Sequence, residues 1–150
     1  MAEAKVQIKN RRAGFEYEFL EKYTAGLQLT GTEIKSIRNS KASIAEAYCG
    51  FKGNELFIRN MHIAEYEQGS YNNHEPRRER KLLLNRQELS KLQRKLRDKG
   101  LTVVPTLLFI SDSGYAKLNI ALAKGKKLYD KRQDLKQKDQ QRQIDRAMKG

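Results

Sequence analysis

LTVVPTLLFISDSGYAKLNIALA, residues 101–123, holds two apolar stretches separated by the turn residues Ser111 to Gly114. The second stretch alternates. Ala116, Leu118, Ile120 and Leu122 fall on one face, and Tyr115, Lys117 and Asn119 on the other. A period of two is that of a strand with one face in a core and one in solvent. The first stretch is continuously apolar and contains Pro105. Proline has no amide hydrogen to give to a ladder, so Pro105 predicts either an edge strand or a bulge.

Working outward, AYCGFKGNELFIRNMHI (47–63) reads as a hairpin, with Gly53-Asn54 between two apolar runs as its turn. FEYEFLEKYTAGLQL (15–29) reads as a long bent strand, with Gly26 as a bulge or kink. Two helices intervene. In TGTEIKSIRNSKAS, Thr30 and Glu33 fit a capping box, Ile34 and Ile37 share one face, and Lys35 and Arg38 share another. In LLLNRQELSKLQRKLRDKG, Asn85 and Glu88 fit a cap and its partner. Leu89, Leu92 and Leu96 form the apolar stripe there, and Gly100 closes the end. Residues 64–81 have no periodicity and read as a long loop with Tyr66, Tyr71, Arg77, Arg78, Arg80 and Lys81. Five or six strands with two helices predict a mainly β fold: a small antiparallel, OB-like barrel with flanking helices.

The charge balance narrows the function. The 150 residues hold 31 Lys and Arg against 18 Asp and Glu, a net charge of +13. A field of that sign attracts phosphate. Cys49 is the single cysteine, which excludes an internal disulfide and suits a small buried residue; with only His62 and His74 besides, no metal site is recognisable. No nucleophile, phosphate-loop or zinc motif and no acidic cluster supports catalysis. The N-terminus lacks a signal-peptide apolar run, no stretch suffices to span a membrane, and the chain reads as cytosolic. A basic arm over 1–14 (Lys5, Lys9, Arg11 and Arg12 against Glu3) precedes a barrel over 15–127.

From Lys124 to Gly150 the chain carries ten Lys and Arg and four Asp. Between Asp130 and Lys149 only Leu135, Ile144, Ala147 and Met148 are apolar. Ordering a residue costs roughly 1–2 kcal/mol, which so few apolar groups do not offset. The tail, 128–150, is therefore expected to be disordered when free and to turn helical in a polyanionic groove. Composition alone leaves a solubilising tail as the alternative.

NRRA (10–13), AGLQLTGTEIKSIR (25–38), YEQGS (66–70), RKLLLN (80–85) and LAKGKKLYDKR (122–132) together resemble the SsrA-binding protein, or small protein B, family. The resemblance implies a non-enzymatic, cofactor-free factor, monomeric and cytoplasmic. It implies binding to the tRNA-like domain of transfer-messenger RNA (SsrA RNA), and travel with alanyl transfer-messenger RNA and elongation factor Tu. It implies delivery to stalled ribosomes for trans-translation, which tags the nascent peptide for degradation and releases the ribosome. Carried over residue by residue, it places Asn10, Leu83 and Lys117 at the transfer-messenger RNA. Arg11, Thr24, Glu33, Lys35, Arg38, Arg80, Lys81 and Lys124 join them as neighbours in the same motifs and strands. Thr24 stands where the family often has glutamate, Phe15 where histidine is frequent, and Thr32 and Gln140 where tryptophan is common. The resemblance places the tail in the empty mRNA channel, at 16S rRNA near the decoding centre, through Tyr129, Asp130, Lys131, Arg132, Lys136, Met148 and Lys149. A structural or assembly ribosomal RNA-binding protein remains the alternative reading of the composition.

Overall fold

The computed structural model describes residues 6–66, 73–98 and 100–126. Its elements, in order, are β1 (Gln7–Lys9), α1 (Arg11–Glu16), β2 (Tyr17–Leu27), α2 (Gly31–Arg38), β3 (Ala42–Ser43), β4 (Tyr48–Lys52), β5 (Glu55–Arg59), β6 (His62–Ile63), β7 (Arg80–Leu83), α3 (Arg86–Lys95), β8 (Leu101–Ile110) and β9 (Ala116–Gly125). Strands β8, β4, β5, β7, β2 and β9 are hydrogen-bonded in that order, and β9 pairs back onto β8. The pairings are antiparallel, so the ring is a closed six-stranded barrel of the OB-like kind expected. Closure removes the open edges at which sheets pair with foreign strands. β1 adds to the later half of β8, and β3 and β6 form a separate two-stranded ribbon.

The β8–β9 stretch behaves as its pattern requires. Ala116, Leu118, Ile120 and Leu122 all point into the main core. Pro105 marks a bulge. The β8–β9 register breaks between Pro105 and Leu107, and the intervening Thr106 hydroxyl donates to the Asn119 carbonyl at 3.2 Å. β8 is not an edge: before the bulge Val103 pairs with β4, and after it Leu107–Phe109 pair with β1. The break lets one strand serve two neighbours in succession.

β2 also bulges, but not at Gly26 as expected. The irregularity falls between Phe19 and Glu21, leaving Leu20 about half exposed, while Gly26 pairs in register with both Leu83 and Lys117. Gly53 alone takes positive φ (64°) in the β4–β5 turn, the pattern of a II′ hairpin.

Three further differences have local causes. The stretch read as a basic arm is structured from Val6: it supplies β1 and α1, the latter capped by Asn10. Ala13 of α1 packs on Val104 and Ala123, which is why the outward side of β9 is buried too. The run Leu82–Leu84 belongs to β7 and the link after it, so α3 starts only at its cap, Asn85, whose Oδ1 accepts from the Glu88 amide at 2.8 Å. The irregular segment after β6 ends at Glu79, not Lys81, because Arg80 already pairs with Ile58 of β5. Cys49 is buried, and burial pushes its thiol pKa up. Among the described residues no helix is long and apolar enough to cross a membrane.

Candidate nucleic-acid interface

Register builds the site. Leu83, Gly26, Lys117, Phe109 and Gln7 lie side by side across β7, β2, β9, β8 and β1. Thr24, Asn119, Leu107 and Lys9 form the next row. Both rows lie outside the barrel, since Ala25 and Leu118, one residue along each strand, are buried in its core. Gly26 keeps its row low: a Cβ there would stand 3.3 Å from Leu83 Cβ, so the missing side chain lets Leu83 lie across β2. Leu83 remains 49% exposed, a large apolar side chain offered to solvent.

Beside these rows the surface sinks into a groove of about 620 Å³. Lys9 and Arg11 come from the β1–α1 corner, Phe19, Lys22, Tyr23 and Thr24 from β2, and Asn119 from β9. Three cations face one acid, Glu88. Lys22 Nζ lies 5.9 Å from the centre of the Phe19 ring, keeping a charge over an aromatic face. The combination of exposed cations and flat rings suits phosphates and unpaired bases.

The walls are held by polar clasps. The Asn10 side chain accepts from the Ala13 amide (3.3 Å) and donates to the carbonyls of Pro105 (2.9 Å) and Ile44 (3.3 Å). It therefore fixes the corner that presents Arg11, with both amide hydrogens engaged inside the protein. Asn10→Ala is expected to cost about 1–2 kcal/mol as a lost helix cap, read as a lower melting temperature before any change in RNA binding is interpreted. The Thr24 hydroxyl donates to Asn119 Oδ1 at 2.8 Å. Tyr23 donates its phenol to Glu21, and burial followed by that bond pushes its pKa up to about 12, so it stays a neutral donor. Glu21 also holds Lys95 of α3, and this bond is the main cause of its lowered pKa.

The expected site residues divide accordingly. Asn10, Arg11, Thr24, Leu83 and Lys117 are brought to one face. Lys81 borders it from β7, with Nζ 2.9 Å from Glu55. Lys124 lies on β9 seven residues beyond Lys117, about 23 Å along the strand. Lys35 and Arg38 stand on the exposed side of α2, where Lys35 Nζ sits 5.4 Å from the Tyr66 ring centre and Arg38 donates to the Gly114 carbonyl. Glu33 and Arg80 correct the expectation outright. Both are fully buried and paired to each other, so neither offers a surface to RNA. The tail residues Tyr129, Asp130, Lys131, Arg132, Lys136, Met148 and Lys149 lie outside the described residues. Lys22, Phe19 and Asn119 belong to the face although the sequence motifs do not mark them. Lys22 shares the outward parity of Thr24, and Asn119 that of Lys117, and strand parity is the signal that finds both.

The family model described as SmpB protein matches residues 7–150. The chain is 60% identical over 144 residues to an SsrA-binding protein of Phocaeicola vulgatus, covering 96% of each. It is 58% identical over 149 residues to one of Bacteroides thetaiotaomicron, covering 99% of each. A solved structure presented as "tmRNA-SmpB: a journey to the center of the bacterial ribosome" contains a chain that superposes with a TM-score of 0.69 at 47% identity, over 82% of this chain and 86% of that one. Barrel, cationic face and near-complete matches agree, and the chain belongs to the SmpB protein family.

Proposed function

We propose that this protein binds transfer-messenger RNA and carries it to stalled ribosomes in trans-translation. The reading is supported by the cationic outer face running from Leu83 through Lys117 to Lys9 and Arg11, in a chain matched nearly end to end by SsrA-binding proteins. The barrel face takes the tRNA-like domain. The tail beyond Lys127 acts separately, entering the vacant mRNA channel at 16S rRNA near the decoding centre. The protein works in the cytoplasm as a monomer without a catalytic step of its own, alongside elongation factor Tu and the alanylated RNA.

Truncation after Lys127 separates the two tasks. Affinity for transfer-messenger RNA should stay near that of the full chain in a filter-binding titration, while peptide tagging in a reconstituted translation system should disappear. Loss of RNA binding on truncation would sink the two-part assignment. Sequencing the RNA co-purified with the full chain should return one dominant small RNA with a tRNA-like end. Stoichiometric migration with every ribosome in a sucrose gradient would instead mark a structural ribosomal component.

A further inference from the structure

The alternation of β7 puts Arg80 beside Leu82 on the inward face, so a full positive charge occupies a position inside the barrel wall. Replacing a buried ion pair by a packed apolar pair is often neutral or stabilising, so stability alone is a weak reason for a charge there. The hydrogen bonds indicate another use. Arg80 Nε donates to Glu33. Nη1 donates to the carbonyls of Met61 and Arg78, both at 2.8 Å, and Nη2 to those of Pro76 (3.1 Å) and Glu75 (3.4 Å). Three of the four carbonyls belong to residues 73–79, which form neither helix nor strand. Irregular backbone packed against a core needs such partners, and one guanidinium supplies them. His74, also buried, fastens the same segment, its ring nitrogens bonded to Thr32 Oγ1 and the Ile63 carbonyl, each at 2.9 Å.

This scaffold presents two other arginines. Arg78 Nη2 reaches Glu33 Oε1 at 2.7 Å, with its side chain 39% exposed, and its buried Nε has no hydrogen-bond partner. Arg77 is exposed and its Nη1 donates to Asn60 Oδ1 at 2.7 Å. Glu33 thus neutralises the arginine inside and aims one at the surface.

We infer that Arg80 and Glu33 are positioning residues that preorganise segment 75–78, so that Arg77 and Arg78 meet phosphates of the bound RNA. The inference rests on the RNA-binding reading above but concerns a segment outside the groove. Preorganisation removes the ordering that would otherwise weaken binding at each phosphate.

The test measures the salt dependence of transfer-messenger RNA binding by the full chain. Replacing Arg77 and Arg78 by alanine should lower the slope of log K against log salt by about 0.7–0.9 for each phosphate no longer neutralised. Arg80→Lys keeps a charge for Glu33 but cannot bridge four carbonyls. It should lower the slope by a similar amount, and adding the two alanines should then change little. If Arg80→Lys fails to fold, the paired variant Glu33→Met with Arg80→Met, which leaves no unpaired buried charge, takes its place. A folded variant with the native slope overturns the inference, as does failure of both variants to fold, which would make the pair purely structural. A native slope in the double alanine variant also overturns it while leaving the RNA-binding reading intact. No binding by the unaltered chain would defeat that reading instead.

Discussion

Replacing Lys9, Arg11, Lys22 and Lys117 together by glutamine is expected to lower affinity for transfer-messenger RNA about a thousandfold at physiological salt. Each charge is worth roughly 1 kcal/mol against a phosphate about 4 Å away in a water-like dielectric, and four such contributions amount to roughly three decades. The salt slope should fall by about 3, near 0.7–0.9 per phosphate. Lys9, Arg11 and Lys22 are exposed, and Lys117 is half-buried on the polar side of β9. Stability should therefore change by only about 0.5 kcal/mol at each position. Titrations at several salt concentrations, with melting curves alongside, check both. Affinity within a few-fold of the unaltered chain would remove this face from the binding site.

Glu33→Gln should have the largest effect on stability, about 3–5 kcal/mol, because it leaves the fully buried Arg80 without its counter-charge. Global stabilities are about 5–15 kcal/mol, so the variant should melt far below the parent. Its pH response carries the sign. Burial acts to raise the Glu33 pKa, but bonds from Arg78, the Thr30 amide and Arg80 outweigh it, and the carboxyl titrates below its ordinary value. A depressed carboxylate contributes stability that is present above its unfolded pKa, about 4.3, and is lost as pH falls through the folded value. Below about pH 4 the parent should therefore lose stability faster than Glu33→Gln, and the two melting temperatures should converge. Parallel curves down to acid unfolding would show that Glu33 is not the group responsible.

What the residues disclose in advance follows from how local each signal is. The alternation in β9, the proline bulge in β8, the glycine turn at Gly53 and the N-terminal caps of α2 and α3 are each set within a few residues and appear in the fold, whereas α3 ends at Lys95 with Leu96 as its cap rather than closing at Gly100. α1 escapes a reading by periodicity because six residues with Gly14 among them form no apolar stripe; only the cap at Asn10 announces it. Gly26 reads as a bulge because a glycine within a strand admits two explanations, and here the operative one is room for Leu83. The candidate face is half legible. Its members sit on five strands and at the start of α1, and the register that aligns the strands is set by pairings between distant residues. Glu33 and Arg80 read as surface charges because burial of a charge depends on a partner 47 residues away.

The closing pair of the barrel has a kinetic consequence. β2 finds its longest ladder in β9, and β1 finds its partner in β8, with about a hundred residues between each pair. A chain made from its N-terminus therefore holds β1 without a partner, and β2 with only its short pairing to β7, until β8 and β9 have been synthesised, and pairings of such separation form slowly. Folding should be nearly all-or-none with respect to length. A chain ending before Ala116 should remain unfolded, whereas one ending just after Lys126 already contains every strand that the barrel needs.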